Sequence, residues 1–366
     1  MPVEIRPRMG VYVCGITPYD TAHVGHAFTY VHFDVLVRYL RHVGAGVVHV
    51  QNVTDVDDDI LRVARERGVV HADLARREEA AFRGQMQALG VADPTQSPWA
   101  SQYVPDIVEA IGKLLAAEVA YRRSGTVYFR VAADPRYGRL SGLSREEMLV
   151  LAAERGGHPE DPNKDDPLDF VLWQPSAPDE PVWDSPWGPG RPGWHIECST
   201  MARRLIGETV DIHGGGSDLL FPHHESELAQ AENPPGGPPF VRHWMHTGAV
   251  HQEGEKMSKS LGNMTFVSDL LSRHDPMLIR RLLLSRHYRE EWTFDERQLD
   301  RATGGPEAPA TGATEEGCRA AFFGALDRDL DTPSALRSLD VARSIPGAEE
   351  LVREAEVILG LSDAPS

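Results

Sequence analysis

A chain of 366 residues, 41% of them hydrophobic, can bury a full core and predicts about two or three domains. Its 55 acidic residues outnumber 37 basic ones, and the formal charge of −18 disfavours a protein that grips nucleic acid by charge alone. Three cysteines are too few for a disulfide framework, and no run of about eighteen apolar residues occurs, so we expect a cytoplasmic protein with no membrane partner.

The N-terminal segment alternates between apolar strands and a helix. Val11 to Val13 is a short apolar run, apolar residues recur at helical spacing from Ala27 to Arg41, and Val47 to Val50 is a second apolar run. Strand, helix and strand within about forty residues predict a parallel βαβ unit with a right-handed crossover. The loop from Cys14 to His26 would then lie at the carboxyl end of a strand, where α/β folds bind ligands.

The remaining elements follow in chain order. Three helices and a strand are predicted next: Ile60 to Arg67, His71 to Leu89, Val104 to Ala120, and the strand Thr126 to Val131. Residues 133–190 are rich in Pro, Gly and Asp and predict an inserted, loop-rich subdomain. A second α/β segment begins near Gly193, with a strand from Thr209 to His213 and a helix from His223 to Glu232. Helices from Phe266 to His287, a linker from Thr303 to Glu316 and a helical tail from Cys318 to Leu361 are predicted last.

Four side chains from separate parts of the chain suit a zinc ion: Cys14, Cys198, His223 and Glu227. His223 and Glu227 are four residues apart and would share one face of the predicted helix. The cysteines are far apart in sequence and give no zinc-ribbon spacing, so two free core cysteines are the alternative interpretation. We expect the neighbouring His224 to be a core or supporting residue and not a ligand.

Three further elements suit a nucleotide. His23 and His26 flank Gly25 at a helix start, where a glycine admits a phosphate and imidazoles can donate to its oxygens. Gly214, Gly215, Gly216 and Ser217 form a second predicted glycine-rich turn, after a strand. Lys256 and Lys259, in Lys-Met-Ser-Lys-Ser, supply positive charge for a polyphosphate. Each element alone is also compatible with a simple turn or a solvated loop.

Together, the H-x-G-H and K-M-S-K-S elements resemble the two signatures of class I aminoacyl-tRNA synthetases. Within residues 9–302, five longer stretches resemble cysteinyl-tRNA synthetase: Tyr12–Gly15, Val50–Asp58, Gly193–Cys198, Asp211–Asp218 and Phe221–Glu225. The resemblance implies an α/β fold, a class I aminoacyl-tRNA synthetase-like Rossmann catalytic domain with an inserted subdomain and a C-terminal helical domain.

The resemblance also implies a division of the chain into five units. These are the first half of the Rossmann domain with its following helices (1–125), the inserted connective subdomain (126–190), the second half of the Rossmann domain (191–250), the K-M-S-K-S loop with a helical stem (251–302), and a linker with a helical tail (303–366). The tail leaves no room for an anticodon-binding domain, which, like the acidic charge, disfavours tRNA as a partner.

A second relative is the cysteine–glucosaminylinositol ligase of mycothiol biosynthesis. Four stretches resemble this ligase: Gly15–Asp20, His26-Ala27, Ala153–Gly157 and Gly188–Gly193. In contrast, Glu225–Gln230 resembles the synthetase, because the ligase usually lacks a carboxylate at position 227. The fourth metal ligand and the acceptor therefore remain open.

The resemblance implies an ATP-dependent, AMP-forming ligase. ATP and cysteine would give cysteinyl-adenylate, and the amine of an amino sugar such as glucosaminylinositol would take the cysteinyl group as an amide. The alternatives are a minimal cysteinyl-tRNA synthetase, a ligase for another amine or a carrier protein, and a non-catalytic paralogue that holds cysteine or adenylate for a partner. We expect a monomer.

The resemblance assigns a role to each candidate residue. One Zn²⁺ per chain would be held by Cys14, Cys198, His223 and Glu227, and Mg²⁺ would accompany ATP. Cysteine would be bound by Thr17, Thr54, Trp194 and Asp218, the last holding its ammonium group. ATP would be bound by Gly25, His26, Gly214, Gly215, Gly216, Ser217 and Lys259. The catalytic groups would be His23, His26, Lys256 and Lys259, with the lysines closing over the pyrophosphate.

Replacing Lys259 by alanine should slow adenylation strongly, because the variant removes a positive charge that stabilises the departing pyrophosphate. ATP–pyrophosphate exchange measures this step. Zinc content and fold should barely change, and an equal loss of zinc would contradict the division between a phosphate site and a metal site.

Overall fold

The structure, a computed structural model, describes residues 3–20, 22–233, 236–252, 255–256, 264–302 and 313–362, with Glu255, Lys256 and Arg301 described by their backbone alone. The predicted Lys259 and the side chain of Lys256 lie outside this description. None of the helices in these ranges is both long and apolar enough to cross a membrane.

The described ranges contain eleven strands: β1 (Arg8–Ile16), β2 (Gly46–Val53), β3 (Ala120–Arg123), β4 (Thr126–Phe129), β5 (Phe170–Gln174), β6 (Arg191–Pro192), β7 (Val210–Gly216), β8 (Val241–Thr247), β9 (Val250–Gln252), β10 (Glu255–Lys256) and β11 (Trp292–Phe294).

They contain thirteen α-helices: α1 (Val24–His42), α2 (Asp58–Arg67), α3 (His71–Ala88), α4 (Val104–Ala116), α5 (Arg145–Glu154), α6 (Trp194–Leu205), α7 (Glu225–Ala231), α8 (Val267–Leu271), α9 (Pro276–Leu284), α10 (Arg297–Arg301), α11 (Glu315–Asp327), α12 (Thr332–Ala342) and α13 (Glu349–Leu359).

The catalytic core is a four-stranded sheet in the order β2-β1-β7-β8, and every neighbouring pair is parallel. β1, α1 and β2 form the predicted βαβ unit. The two central strands, β1 and β7, come from halves of the chain that the insertion separates. Their carboxyl ends are adjacent because Val11 pairs with Ile212 and Val13 with Gly214. Side chains that follow these positions therefore meet at one edge of the sheet.

Several boundaries differ from the sequence prediction; the helix predicted from His223 to Glu232, for example, is Glu225–Ala231. β1 continues to Ile16, and α1 begins at Val24, so the loop between them is shorter than expected.

The three glycines from Gly214 to Gly216 belong to β7 and do not form a turn after it. A Cβ added at Gly214 would lie only 1.9 Å from the carbonyl oxygen of Met245 on the neighbouring strand. This glycine therefore permits close strand packing, which a sequence pattern alone does not distinguish from a turn.

The insertion is more regular than its composition suggested. Its antiparallel sheet has the order β3-β4-β5-β6 and packs with α4 and α5 around a separate core that includes Ile107, Phe129 and Trp173. The predicted helix from Val104 ends at Ala116, and the next residues form β3. The signal for α5 was present as a capping box, in which Ser144 and Glu147 exchange hydrogen bonds at the helix start.

The helical tail packs into the catalytic core and not beside it. One hydrophobic cluster joins Val35 on α1, Ile279 on α9, Leu336 on α12 and Ile358 on α13. A third, small sheet in the order β10-β9-β11 leads to the segment that carries the lysine motif.

A buried ion pair fastens these helices together. Arg280 is fully buried on α9 and donates to Asp34 on α1 over 2.5 Å, to the carbonyl of Leu89 over 2.9 Å and to that of Leu359 over 2.6 Å. Asp34 also accepts from Arg38 over 2.8 Å. The guanidinium and the carboxylate are thus both paired and hydrogen-bonded, as buried charges require.

Replacing Asp34 by alanine should lower the free energy of unfolding by about 3–5 kcal/mol, because it leaves the buried guanidinium without its counter-charge. Chemical denaturation measures this loss. The matched control is Glu66→Ala, which removes an exposed carboxylate 2.9 Å from Arg62 and should cost no more than about 1 kcal/mol. Equal losses in both variants would contradict a central role for the buried pair.

Candidate active site

Four predicted metal ligands converge at the carboxyl end of the central strands. The donor atoms of Cys14, Cys198, His223 and Glu227 all lie within 4.8 Å of one another, and all four residues are buried. Cys14 comes from β1, Cys198 from α6, His223 from the irregular turn before α7, and Glu227 from α7. Sequence reasoning grouped these residues by their donor chemistry and left free core cysteines as the alternative, and the resemblance then favoured the metal site.

The electrostatics of this cluster favour a bound cation. Burial, followed by Cys198 and Glu227, raises the pKa of Cys14 well above its usual value. The hydrogen bond with Cys14 lowers the pKa of Cys198, but burial and Glu227 outweigh it, so the net shift is upward. Thiolates and a carboxylate are costly together in such a setting unless a positive charge compensates them.

The histidine is prepared for ligation. Burial lowers the pKa of His223 well below its usual value, which keeps the imidazole neutral. Its Nδ1 lies 2.9 Å from Nδ1 of His195, and its Nε2 lies 3.2 Å from Oε1 of Glu227. A hydrogen bond on one ring nitrogen that leaves the other aimed at the metal is the usual arrangement of a ligating histidine.

Two further histidines surround Cys14. A second group whose donor atoms lie within 4.8 Å of one another consists of Cys14, His213, His224 and Glu227. Nε2 of His224 lies 3.3 Å from the sulfur of Cys14, and its Nδ1 lies 2.7 Å from His246. Sequence reasoning placed His224 in a supporting position and missed His213, although its place at the end of a predicted strand was a usable signal.

The donor set fits Zn²⁺. Among the described residues, Oε2 of Glu227 and Nδ1 of His213 are buried and make no hydrogen bond, so polar atoms remain available inside the cluster. Of the two overlapping groups, the one with both cysteines offers the softer ligands that zinc prefers. The six side chains of the two groups are therefore described below as the thiol–histidine cluster: Cys14, Cys198, His213, His223, His224 and Glu227.

A large cavity of about 1330 Å³ opens beside the cluster. Cys14, Thr17 and Trp194 of the catalytic half line it, as do residues 154–158 and 160–164 of the insertion. Trp194 stacks on His223 with the ring centroids 4.1 Å apart. The cavity exceeds the range of about 300–1,000 Å³ that is usual for a single small ligand, so it has room for more than one substrate.

The H-x-G-H element begins α1. His23 is the N-cap, and its Nδ1 accepts from the backbone of Gly25 over 3.1 Å. His26 reaches back to accept from the backbone of His23 over 3.4 Å, and the two imidazoles stack with centroids 3.9 Å apart. All three residues line the cavity. The capping geometry explains why the helix starts earlier than its apolar pattern indicated.

The other predicted substrate and ATP residues divide into two groups. Thr17, Trp194, Asp218, Gly216 and Ser217 line the cavity. Thr54 is buried, and its hydroxyl accepts from Asn52 over 3.1 Å. Gly214 and Gly215 are closely packed residues of β7. Neither they nor Thr54 are among the residues that line the cavity.

Arg155 connects the insertion to the catalytic half. Its guanidinium donates to the backbone carbonyls of Asp218 and Phe221, which lie in the two short turns that precede α7. Sequence reasoning noted this stretch as ligase-like but gave Arg155 no role. The contact fixes the insertion across the cavity from the first strand.

Comparison with known proteins agrees with this architecture. Residues 3–304 match the family described as tRNA synthetases class I (C) catalytic domain. Among solved structures, Mycobacterium tuberculosis methionyl-tRNA synthetase in complex with methionyl-adenylate is similar, with a TM-score of 0.64 at 16% identity over 97% of this chain and 89% of the other. The fold is therefore that of a class I aminoacyl-tRNA synthetase catalytic domain with a helical C-terminal region.

Two kinds of curated relative are similar in sequence. L-cysteine:1D-myo-inositol 2-amino-2-deoxy-alpha-D-glucopyranoside ligase of Thermomonospora curvata is 46% identical over 358 residues, which cover 95% of this chain and 86% of the relative. Cysteine–tRNA ligase of Syntrophobacter fumaroxidans is 48% identical over 300 residues, which cover 82% of this chain and 60% of the relative. The chain belongs to the class I (C) tRNA synthetase catalytic domain family, and it is an ATP-dependent ligase of this synthetase-like type.

Cys198→Ser and His223→Asn should each remove most of the bound zinc, because they delete ligands of the two-thiol group. Metal analysis of the purified proteins measures the loss. The matched controls are Cys318→Ser, a buried cysteine in the tail, and His213→Asn, which belongs to the other group. Loss of zinc in His213→Asn with retention in Cys198→Ser would assign the metal to the alternative group.

Proposed function

We propose that the protein activates cysteine as cysteinyl-adenylate and transfers the cysteinyl group to the amine of an amino sugar such as glucosaminylinositol, forming an amide. One observation carries the choice of acceptor. Three of the four stretches in which the sequence resembles the mycothiol ligase, and not the tRNA synthetase, contribute several residues to the cavity wall: Gly15–Asp20, Ala153–Gly157 and Gly188–Gly193. His26, from the fourth stretch, lines it too. Much of each ligase-like stretch thus lines the cavity that would hold the substrates.

The thiol–histidine cluster would select cysteine. Zn²⁺ held by Cys14, Cys198 and His223, with Glu227 as the fourth ligand, supplies a Lewis acid that favours the substrate thiolate over a hydroxyl or a methyl group. Trp194, stacked on His223, closes this end of the cavity. Asp218, which lines the cavity and whose backbone carbonyl accepts from Arg155, would pair with the ammonium group. Selection by a ligand bond exceeds the ~1–3 kcal/mol that an apolar pocket gains from one methylene.

Adenylation requires positioning and charge stabilisation. His23 and His26 line the cavity at the start of a nineteen-residue helix, where the helix dipole also favours phosphate. Gly216 and Ser217 line it at the end of β7. Lys256 and Lys259 would approach from the other side, and Mg²⁺ would accompany ATP. These groups align the α-phosphorus for in-line attack by the carboxylate of cysteine.

The second candidate function is that of a compact cysteinyl-tRNA synthetase. Glu227 favours this function. It belongs to the stretch Glu225–Gln230, which resembles the synthetase, and its carboxylate is part of the thiol–histidine cluster. The near-equal identity to both kinds of relative also leaves this acceptor in contention. Both candidates share the adenylation step and differ only in the nucleophile.

Product analysis separates the two candidates. The zinc-loaded protein is incubated with ATP, cysteine and glucosaminylinositol, and in parallel with ATP, cysteine and tRNA. Mass spectrometry should find the amide of cysteine and the amino sugar, with no charged tRNA. Charged tRNA without the amide would overturn the proposal in favour of the synthetase, and cysteine-dependent ATP–pyrophosphate exchange with neither product would show that the acceptor is a different amine.

A further inference from the structure

Asp57 is a carboxylate residue that lines the cavity and has no role in the functions proposed so far. Asp57 follows β2 and is the N-cap of α2, where its Oδ1 accepts from the backbone of Asp59 over 2.6 Å. The residue lines the cavity together with Trp194, and the strand β6 that leads into Trp194 contacts the same turn through Arg191. Asp57 thus lies on the wall shared with the proposed cysteine site.

The neighbouring carboxylates of the wall are committed to other contacts. Asp58 pairs with Arg191, and Asp59 pairs with Arg62 over 2.8 Å. Asp161, on the opposite wall, accepts from a tyrosine hydroxyl over 2.7 Å and from an asparagine side chain over 2.9 Å. In the part of the chain that the structure describes, Asp57 has no cation within ion-pair distance. Of the four carboxylates of Asp57, Asp58, Asp59 and Asp161, that of Asp57 is therefore the one available to accept a proton.

The surroundings tune Asp57 toward that role. Asp57 is half-buried in the cavity wall, and this partial desolvation raises its pKa to about 7; the hydrogen bond from the backbone of Asp59 opposes the shift, and the charges of Asp59 and Asp58 add to it. Arg191 lowers the pKa from the β6 side, and the buried Glu197 of α6 and the phenol of Tyr19 also face this turn. A carboxyl group with a pKa near the operating pH is the most effective general base.

We propose that Asp57 is the base that takes the proton from the acceptor's ammonium group in the transfer step, an inference that rests on the proposed function. The ammonium N–H bond breaks, and its proton passes to Asp57. The freed nitrogen pair attacks the adenylate carbonyl and forms the C–N bond, the C–O bond to phosphate breaks with its electrons on AMP, and the second nitrogen proton leaves to solvent. No oxidant or other co-reactant is required.

The test uses Asp57→Asn and Asp57→Ser. Asparagine and serine cap helices about as well as aspartate, so α2 should keep its start while the base is lost. With glucosaminylinositol and preformed enzyme-bound cysteinyl-adenylate, single-turnover amide formation at pH 7.5 should fall by about 10²–10⁴-fold. Cysteine-dependent ATP–pyrophosphate exchange should stay within about twofold of the unsubstituted protein.

The pH profile distinguishes a base from a structural residue. In the unsubstituted protein the transfer rate should rise through a pH of about 7 and then level off, because ionised Asp57 is the active form. In Asp57→Asn this rise should disappear, and the deficit should shrink near pH 9, where the amine is already neutral. The matched control Asp59→Asn should keep the plateau rate and move the midpoint to lower pH, because it removes a charge that raises the pKa of Asp57.

Normal transfer in Asp57→Asn, or equal losses of transfer and exchange at every pH, would overturn the assignment. A rate deficit that persists unchanged at pH 9 would likewise show a structural role. Failure of the unsubstituted protein to form any amide would instead overturn the proposed function, and this inference with it.

Discussion

The burial of ionisable groups at the carboxyl ends of β1 and β7 is the constraint on which the site depends. Glu227 and His213 have no solvent exposure, and Cys14 lies between them with its sulfur 3.5 Å from the carboxylate and 3.6 Å from the imidazole. Such groups are stable in the interior only when they are neutral, paired or bound to a cation. The parallel register of β1 and β7 brings Cys14 close to His213, so the fold itself creates a buried cluster that a bound cation would stabilise.

Two separate parts of the chain, the catalytic sheet and the insertion, line the cavity. The catalytic sheet supplies the cluster and the helix start that suit cysteine and phosphate, while the insertion supplies the opposite wall. Arg155 of the insertion donates to the backbone carbonyls of Asp218 and Phe221 and so joins the insertion to the catalytic half. Under the proposed function, acceptor choice would draw on the insertion as well as on the sheet, so substitutions in the insertion would be expected to alter the acceptor.

Sequence reasoning succeeded where signals are local or motifs are long. The βαβ unit followed from periodicity, and the resemblance favoured a shared metal site for Cys14 and Cys198 although no spacing rule links them. It failed to find β3, because this strand is only four residues long and two of them are exposed, although its partner β4 follows after two residues. His213 was missed because its contacts depend on strand register. The phosphate-site lysines remain a prediction, because Lys259 and the side chain of Lys256 lie outside the described residues.

The hydrogen bonds of Arg280 have a consequence for synthesis of the chain. The guanidinium on α9 needs a carboxylate from α1 and a carbonyl from the end of α13, partners separated by most of the sequence. During translation the buried hydrogen-bond network of Asp34 on α1 and Arg280 therefore cannot be completed until Leu359 has been synthesised. Contacts of such long sequence separation slow folding. Until α13 leaves the ribosome, part of the apolar face of α1 stays uncovered by α9, α12 and α13. Chaperones can bind such transiently exposed apolar surface.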